Sequence, residues 1–417
     1  MTENYDFEKV KEIWKTNIRP TVLYLHNPFC ITEENCKYCV HRGSARKEYS
    51  EKDLDYFYFD YMPKMFGLYE PIINEQEFVL VNFGGGTPNI LSAELLDNYL
   101  SLLPKKFKSL PKVIELHPAL LTARQLDILK RYNFTTVIFC VQTFDENTLK
   151  EQRRLIPNFE TLKSNFEYAK SLGFNVATDL ITYWHKDEKN WEILDNDLKI
   201  LKELSPDEIT VSPLYQNKYS SNENEVFEVY RRIRKLIAKY FPDYENPENT
   251  LFEKEEVATI RIYKPNSNIR KDFDIYINSL TDVPWQHEQG YSTLGIGSFK
   301  NKDKPVFSII GPDYTIYEEF NDFNTPNFTL AKNWNFWASL KEEISKYEKL
   351  GNPPVGTTLA IRNVCGNSVI FYERMKQENA KLELIFPNYQ KSDFAKKQED
   401  IYLDKISELN YNLEKEQ

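Results

Sequence analysis

The sequence predicts an α/β protein built on an open, partial (β/α)6 barrel of the TIM type, followed by a mixed and mainly helical C-terminal region. Between about residues 20 and 215, short β-rich runs alternate with longer amphipathic runs, which is typical of βα units around a parallel sheet. A closed eight-unit barrel takes about 250 residues, so six units in about 195 residues predict a barrel that stays open.

Each predicted strand is a short apolar run, and each predicted helix has apolar residues at helical spacing. The strands are 21–25, 78–83, 113–116, 135–141, 175–181 and 208–211. The main helices between them are 93–103, 123–131, 159–172 and 191–204. Several of these helices begin after a capping residue or a proline, and they end near Gly or Asn.

The chain divides into three predicted segments: an N-terminal segment at 1–20, the barrel core at 21–240, and a C-terminal region at 241–417 that covers the substrate. The last segment is predicted to be aromatic and loop-rich at 241–330 and mostly helical at 331–417.

A helix at 226–240 carries several arginines: Arg231, Arg232 and Arg234. An anion site is one interpretation of them. We favour a solvated helix face, because acidic residues are interspersed and the net charge is negative.

Composition restricts the function. The chain has 53 Lys and Arg against 63 Asp and Glu, a formal charge of -10, which makes nucleic acid a poor partner. No run approaches the roughly 18 apolar residues of a membrane span, and the N-terminus is charged rather than signal-like. Five Cys are too few for a disulfide scaffold. These features predict a cytoplasmic protein.

Three cysteines, Cys30, Cys36 and Cys39, form a C-x5-C-x2-C arrangement directly after the first strand. Three thiolates on one loop can hold three irons of a four-iron cluster and leave the fourth iron open to a small molecule. Structural zinc is the alternative, with His41 as the fourth ligand.

A run of three glycines, Gly84, Gly85 and Gly86, follows the second strand and precedes Thr87 and Pro88. Glycine is scarce here, with 13 residues in 417, and a simple turn needs only one. Without Cβ atoms the backbone can approach a ligand closely. Neither a phosphate loop nor a dinucleotide fingerprint is present, so the glycines predict contact with another polar ligand.

Polar side chains occur at or near the ends of three further strands, at Glu115, Gln142 and Asp179. In barrels the carboxyl ends of the strands bring side chains to one mouth. We therefore expect these three residues to converge, although each by itself is more typical of a cap or a surface charge.

Taken together, these motifs resemble the radical S-adenosylmethionine (SAM) enzymes, in the branch of the oxygen-independent coproporphyrinogen III oxidase. The resemblance runs from Tyr24 to Tyr317. It is carried by 23–30, Cys36, Tyr38, Cys39, 82–88, Glu115, 141–144, Arg154, 179–181 and 294–298.

The resemblance implies that the three cysteines bind a [4Fe-4S] cluster whose open iron chelates the amino and carboxylate groups of SAM. Reductive cleavage then releases a 5′-deoxyadenosyl radical. An electron donor such as flavodoxin or ferredoxin and a small-molecule substrate are the implied partners.

The same resemblance assigns residues to one SAM, or possibly two. Tyr24 lies beside it, the Tyr38 backbone contacts adenine, and Glu115 faces the ribose hydroxyls. The amino end is taken by Gly85 with its neighbours Gly86 and Thr87, while Gln142, Arg154 and Asp179 position the cofactor. Gly297 either lines a site for a second SAM or substrate, or belongs to an ordinary turn.

The sequence departs from the family in two places. Five residues separate the first two cysteines instead of three, and Glu33 and Glu34 among them are expected to make cluster reduction harder. The His-Asn-x-x-Tyr-Trp segment of haem-handling members is replaced by 283–288, which includes His287. Cys140 and Cys365 are predicted to be buried or idle thiols.

Three functions stay open on the sequence. The first is a radical SAM oxidoreductase or methyltransferase that abstracts hydrogen from, or methylates, a small molecule. The second is a haem-binding trafficking protein of the same fold without turnover, which the missing haem-handling segment disfavours. The third is a structural protein stabilised by zinc.

Overall fold

The computed structural model describes residues 3–5, 7–15, 20–39, 44–214, 223–244, 260–269, 292–297, 307–310, 315–322 and 325–330. Every structural statement below refers to these residues. The predictions for 331–417, for His41, for 283–288 and for Cys365 lie outside them.

Twelve strands of the described residues form one sheet. They are β1 (Glu3–Tyr5), β2 (Thr21–Asn27), β3 (Phe78–Gly85), β4 (Lys112–Leu116), β5 (Phe134–Gln142), β6 (Asn175–Thr182), β7 (Glu208–Pro213), β8 (Ile260–Tyr263), β9 (Ser292–Ile296), β10 (Phe307–Ile310), β11 (Thr315–Asp322) and β12 (Thr325–Leu330). Their order across the sheet is β1-β12-β11-β10-β9-β2-β3-β4-β5-β6-β7-β8.

The strands β2 to β7 lie side by side in chain order, and each is parallel to the next. These are the six predicted strands, so the partial barrel is confirmed. β9 extends the parallel part on the other side of β2. The flanking strands β8, β10, β11, β12 and β1 pair antiparallel with their neighbours.

Helices connect the parallel strands. The α-helices of the described chain are α1 (Phe7–Lys15), α2 (Glu51–Asp55), α3 (Met62–Leu68), α4 (Glu70–Glu75), α5 (Ala93–Ser101), α6 (Lys105–Lys108), α7 (Ala123–Arg131), α8 (Glu146–Glu151), α9 (Phe159–Ser171), α10 (Glu188–Leu204) and α11 (Glu223–Tyr240). A π-helical stretch, Tyr56–Tyr61, joins α2 to α3. None of the described helices is long and apolar enough to cross a membrane.

Side-chain caps explain where several helices begin. The Thr122 hydroxyl accepts a hydrogen bond from the Gln125 backbone N–H at the start of α7, and the Gln125 side chain bonds back. At the start of α9, Asn158 accepts from the Thr161 N–H at 2.9 Å. Such a cap stabilises a helix by about 1 kcal/mol.

The parallel strands have two different faces. Residues such as Leu23, Val81 and Phe139 face the helices in the main apolar core. The alternate residues of each strand, which point to the opposite face, form a smaller apolar cluster inside the barrel that includes Val22 and Val113. Because side chains alternate along a strand, the residues two positions further on share this inner face. Those residues are polar: they are Tyr24, Asn82, Glu115, Cys140 and Asp179.

Two sequence-based expectations are wrong in the C-terminal half. Within 241–330, the described residues include five strands, so the region is not simply loop-rich. The charged residues on β11 and the proline on β12 hide the alternation. In α11, Arg234 is 1% exposed rather than solvated. Arg232 pairs with Glu188 and lies over the Trp191 ring at 4.3 Å. The three-segment division of the chain stays a prediction.

Candidate functional site

The candidate site lies at the carboxyl ends of the parallel strands, where the glycine run, the cysteine loop and the polar strand ends meet. The β2–β3 register places Tyr24 beside Asn82, and His26 beside Gly84. Successive parallel strands therefore present the predicted site residues at one edge of the sheet, as expected for a barrel mouth.

The glycine run packs against the end of β2. Gly85 has a φ of +98°, which favours glycine, and a Cβ there would lie 2.5 Å from the Asn27 carbonyl oxygen. The Gly86 N–H donates to that same oxygen at 2.6 Å. A Cβ on Gly86 would overlap the Phe29 carbonyl and lie 3.1 Å from the Cys30 Sγ. The glycines thus let β3 approach the first cysteine closely.

The start of the cysteine loop is held on both sides. The Cys30 N–H donates to the Ser44 carbonyl at 2.8 Å, and the Tyr49 hydroxyl donates to the Cys30 carbonyl at 2.9 Å. Thr87 contributes from the glycine run: its N–H donates to the Phe29 carbonyl at 2.8 Å, and its hydroxyl accepts from the Ile31 N–H at 3.3 Å. Thr87 therefore supports the start of the cysteine loop, and its contact with a ligand stays a prediction.

The three cysteines of this loop fit an iron–sulfur cluster in their chemistry. All three are half-buried thiols outside any disulfide. Within the described residues, no three His, Cys, Asp or Glu side chains are gathered closely enough to hold one metal ion. A four-iron cluster does not require such gathering, because each thiolate binds a different iron.

The longer arc between Cys30 and Cys36 is tied down through Glu34. Its carboxylate pairs with Lys47 at 3.1 Å and with Arg153. Lys47 and Arg153 lower the pKa of this carboxyl. Next to the arc, the Lys37 N–H donates to the Gln152 carbonyl at 3.1 Å. The negative charge that was expected to oppose cluster reduction is thus balanced by two cations at Glu34.

Tyr24, Gly84 and Glu115 meet inside the barrel. A Cβ on Gly84 would lie 2.6 Å from the Tyr24 hydroxyl oxygen and 3.0 Å from a Glu115 carboxylate oxygen. Burial, and then the charge of Glu115, raises the pKa of Tyr24 well above its ordinary value, so the phenol stays protonated. Asn82 is fully buried on the same face, and neither of its side-chain amide atoms has a hydrogen-bond partner.

Arg154 connects the cysteine loop to the sheet. One guanidinium nitrogen donates to the Tyr38 hydroxyl at 2.7 Å, and the other donates to the Cys140 carbonyl. The Tyr38 ring packs edge-on against Trp184, with centroids 5.5 Å apart. Burial raises the pKa of Tyr38 far above its ordinary value. The structure therefore brings Tyr38 and Arg154 together, as a site built from both residues requires.

Asp179 lies on the inner face of β6, where its carboxylate is 3.9 Å from the Cys140 thiol. Burial, followed by the charge of Asp179, raises the pKa of Cys140 well above its ordinary value. The sequence predicted a buried or idle thiol; in the structure Cys140 is half-buried and belongs to the polar layer of the barrel. Gln142 ends β5 with a φ of +70° and is 8% exposed.

Gly297 follows β9 with a φ of +114°, and a Cβ there would overlap the His26 carbonyl. The close approach of the two backbones explains why glycine is needed here. Both interpretations of Gly297, a ligand site and an ordinary turn, are consistent with this packing.

Sequence reasoning missed His117, which lies two residues after Glu115 and is 6% exposed. The strand alternation that places Glu115 on the inner face could have identified it.

Sequence reasoning also missed Asp197, which holds the loop that follows β5. There, the Asp197 carboxylate of α10 accepts hydrogen bonds from the Thr143 hydroxyl and the Phe144 N–H, both at 2.8 Å. Burial raises the pKa of Asp197 to about 7.

Comparison with known proteins gives an independent view of the chain. The Radical SAM superfamily profile matches residues 24–198. The oxygen-independent coproporphyrinogen III oxidase of Helicobacter pylori is 24% identical, over 96% of this chain and 83% of that protein. The haem chaperone HemW of Bacillus subtilis is 28% identical over 172 residues, 38% of this chain and 41% of the chaperone.

Among solved structures, the coproporphyrinogen III oxidase HemN from Escherichia coli has a similar fold, with a TM-score of 0.60 and 17% identity over 86% of this chain and 92% of that one. The fold similarity, the profile match and the relatives agree. Residues 24–198 therefore match the radical SAM superfamily, and the chain is similar in sequence to oxygen-independent coproporphyrinogen III oxidase and, over 38% of its length, to HemW.

Proposed function

We propose that this protein is a radical SAM enzyme that cleaves SAM reductively at a [4Fe-4S] cluster, in order to abstract hydrogen from, or to methylate, a small molecule. The observation that carries this proposal is the meeting of three features at one barrel mouth: the cysteine loop, the glycine run packed against Cys30, and the half-buried side chains of Tyr24 and Glu115 beside Gly84.

Cys30, Cys36 and Cys39 would hold the cluster, and the bound cluster would supply the electron for reductive cleavage of the C–S bond of SAM to a 5′-deoxyadenosyl radical. Glu115 offers carboxylate oxygens to the ribose hydroxyl donors. Gly85 and Gly86 bring backbone close to the amino end. The protonated Tyr24 is neutral beside this ligand, so it adds no second negative charge to the pocket.

The remaining predicted residues shape the pocket and exclude water. Arg154 donates a hydrogen bond to the Tyr38 hydroxyl and so fixes this side chain of the cysteine loop. Trp184 packs edge-on against the Tyr38 ring. Gln142 on β5 and Asp179 on β6 would provide further polar contacts for one SAM or two. In this proposal the protein orients and shields its ligand, while the bound cofactor carries the difficult chemistry.

The test is direct. Protein purified and reconstituted without oxygen should contain about four irons per chain, absorb in the visible range, and yield 5′-deoxyadenosine from SAM after addition of dithionite. Methylation would also produce S-adenosylhomocysteine. Cys39→Ala should lose iron and product, whereas the matched variant Cys140→Ala should keep its iron. A reconstituted wild-type sample that yields neither product contradicts the proposal.

A haem chaperone without turnover is the second candidate, and the similarity to HemW supports it. It predicts a stable haem complex, visible as a shifted Soret band on haem titration, together with no 5′-deoxyadenosine. An external electron donor such as flavodoxin or ferredoxin, and residence in the cytoplasm, stay predictions.

A further inference from the structure

His117 is held rigidly at the carboxyl end of β4. Its backbone N–H donates to the Asn89 side-chain oxygen at 2.8 Å, and its carbonyl accepts from the Asn89 side-chain nitrogen at 3.1 Å. Asn89 is itself 1% exposed. This pair of hydrogen bonds therefore fixes the backbone that carries the imidazole ring.

The hydrogen bonds of the ring define which nitrogen carries the proton. Nδ1 accepts from the Ala119 N–H at 3.3 Å, so in the neutral ring the proton lies on Nε2. Burial, and then the charge of Arg154, lowers the pKa of His117 well below its ordinary value, which keeps the ring neutral. His117 therefore presents one N–H donor, at Nε2.

The Nε2–H donor of His117 has no hydrogen-bond partner in the described structure, and neither does one donor of the neighbouring Arg154. His117 Nε2 and Arg154 Nε are both buried without a hydrogen-bond partner in the described structure. The other two guanidinium nitrogens of Arg154 are already used by Tyr38 and Cys140. Buried donors are nearly always satisfied in native proteins, so a pair left open points to an absent acceptor.

The chemistry of the pair identifies that acceptor. Both groups donate, one of them is cationic, and both are buried, so the ligand should be a compact anion with more than one acceptor oxygen. A carboxylate meets these conditions. We propose that His117 Nε2–H and Arg154 Nε–H together bind the carboxylate of SAM, which makes His117 a further binding residue. This inference rests on the proposed function.

The experiment compares ligands with and without the carboxylate. Reconstituted wild type, His117→Phe, His117→Gln and Asn89→Ala are titrated calorimetrically with SAM, with decarboxylated SAM and with 5′-deoxyadenosine, at equal iron content. His117→Phe should bind SAM roughly 10-fold more weakly and leave the other two ligands within about 2-fold, as the loss of one hydrogen bond to a charged group requires. His117→Gln, which keeps an N–H donor, should recover most of the affinity.

Asn89→Ala is the structural control, because it loosens the backbone of His117 without removing the donor, and it should weaken all three ligands by a similar factor. Equal weakening of all ligands by His117→Phe, or no weakening of SAM, overturns the inference. If wild type binds SAM and His117→Phe binds it with the same affinity, this inference alone is rejected. Wild type that binds no SAM rejects the proposed function, and the inference with it.

Discussion

At the scale of single residues, the site depends on charged groups whose environment the barrel sets. Glu115 lies on the inner face of β4, next to the Tyr24 phenol and beside the position where Gly84 lacks a side chain. Any larger residue at Gly84 would displace the phenol or the carboxylate. The same inner face carries Asp179 and Cys140, which makes this layer of the barrel polar above an apolar floor.

Glu115→Gln tests the carboxylate itself. We expect the Kd for SAM to rise about 10-fold, because hydrogen bonds to a charged acceptor contribute about 1.5–3 kcal/mol and the amide keeps only part of that. Anaerobic calorimetric titration measures it. Glu94→Gln, an exposed substitution on α5, should leave Kd unchanged. An unchanged affinity in Glu115→Gln would remove this residue from the site.

At the scale of elements, the cysteine loop and the glycine run are one unit, although more than 40 residues separate them. Hydrogen bonds from Gly86 and Thr87 reach the carbonyls of Asn27 and Phe29. The unit therefore forms only when β2 and β3 pair in register.

Two glycine-to-alanine substitutions compare the steric effect of a Cβ in the glycine run with the effect of alanine on the conformational entropy of the unfolded chain. Gly86→Ala should lower the free energy of unfolding by about 1–3 kcal/mol, because its Cβ would overlap the Phe29 backbone. Gly67→Ala is the matched control: nothing lies within 4 Å of its Cβ position, and this exposed helical site should gain about 0.5–1 kcal/mol. Urea unfolding measures both. Equal effects would contradict the observed packing of the glycine run.

Helix α10 also supports the site, because Asp197 holds the loop that follows Gln142. Its pKa is raised to about 7 by burial, against about 3.9 in an unfolded chain. The folded state therefore binds the proton more tightly. Protonation of Asp197 therefore contributes fully to the free energy of unfolding below about pH 4, and this contribution is lost as the pH rises to about 7.

Asp197→Asn removes that titration. The unfolding free energy of wild type should fall relative to the variant between about pH 4 and pH 7, and the difference should be constant above that range. Chemical denaturation at a series of pH values measures it. Glu192→Gln, on the exposed side of the same helix, should follow the wild-type profile. Parallel profiles for wild type and Asp197→Asn would contradict the raised pKa.

At the scale of the whole molecule, the candidate site gathers residues from far along the chain. Tyr24 and Tyr38 come from the first parallel strand and its loop, whereas Gly297 follows β9, which pairs with the opposite edge of that strand. A ligand bound at this mouth would contact several strands at once. Binding should therefore stabilise the fold as a unit.

SAM at 100 times its Kd should stabilise reconstituted protein by about 2.7 kcal/mol, which raises the Tm by a few degrees at most for a chain of this length. Scanning calorimetry without oxygen measures the shift. At the same SAM concentration, Glu115→Gln should gain only about half as much stability, because its affinity is about 10-fold lower. A wild-type Tm that SAM leaves unchanged would contradict binding at the barrel mouth.

The sequence by itself determined the six parallel strands β2 to β7, each of which begins within one residue of its predicted start, and it identified the cysteine and glycine motifs. These features are local: apolar alternation, capping residues and close spacings are written in neighbouring positions. It did not reveal strands β8 to β12, because their pairing, parallel between β9 and β2 and antiparallel in the other pairs, depends on partners elsewhere in the sheet.

Only the tertiary structure decided which site residues meet. The bond between Arg154 and Tyr38, the pairing of Glu34 with Arg153, and the support of Thr143 by Asp197 each join residues more than 50 positions apart. The pKa of His117 likewise depends on burial and on the guanidinium of Arg154, which is distant in sequence but close in space. Desolvation and charge act through space, so no local pattern could encode these contacts.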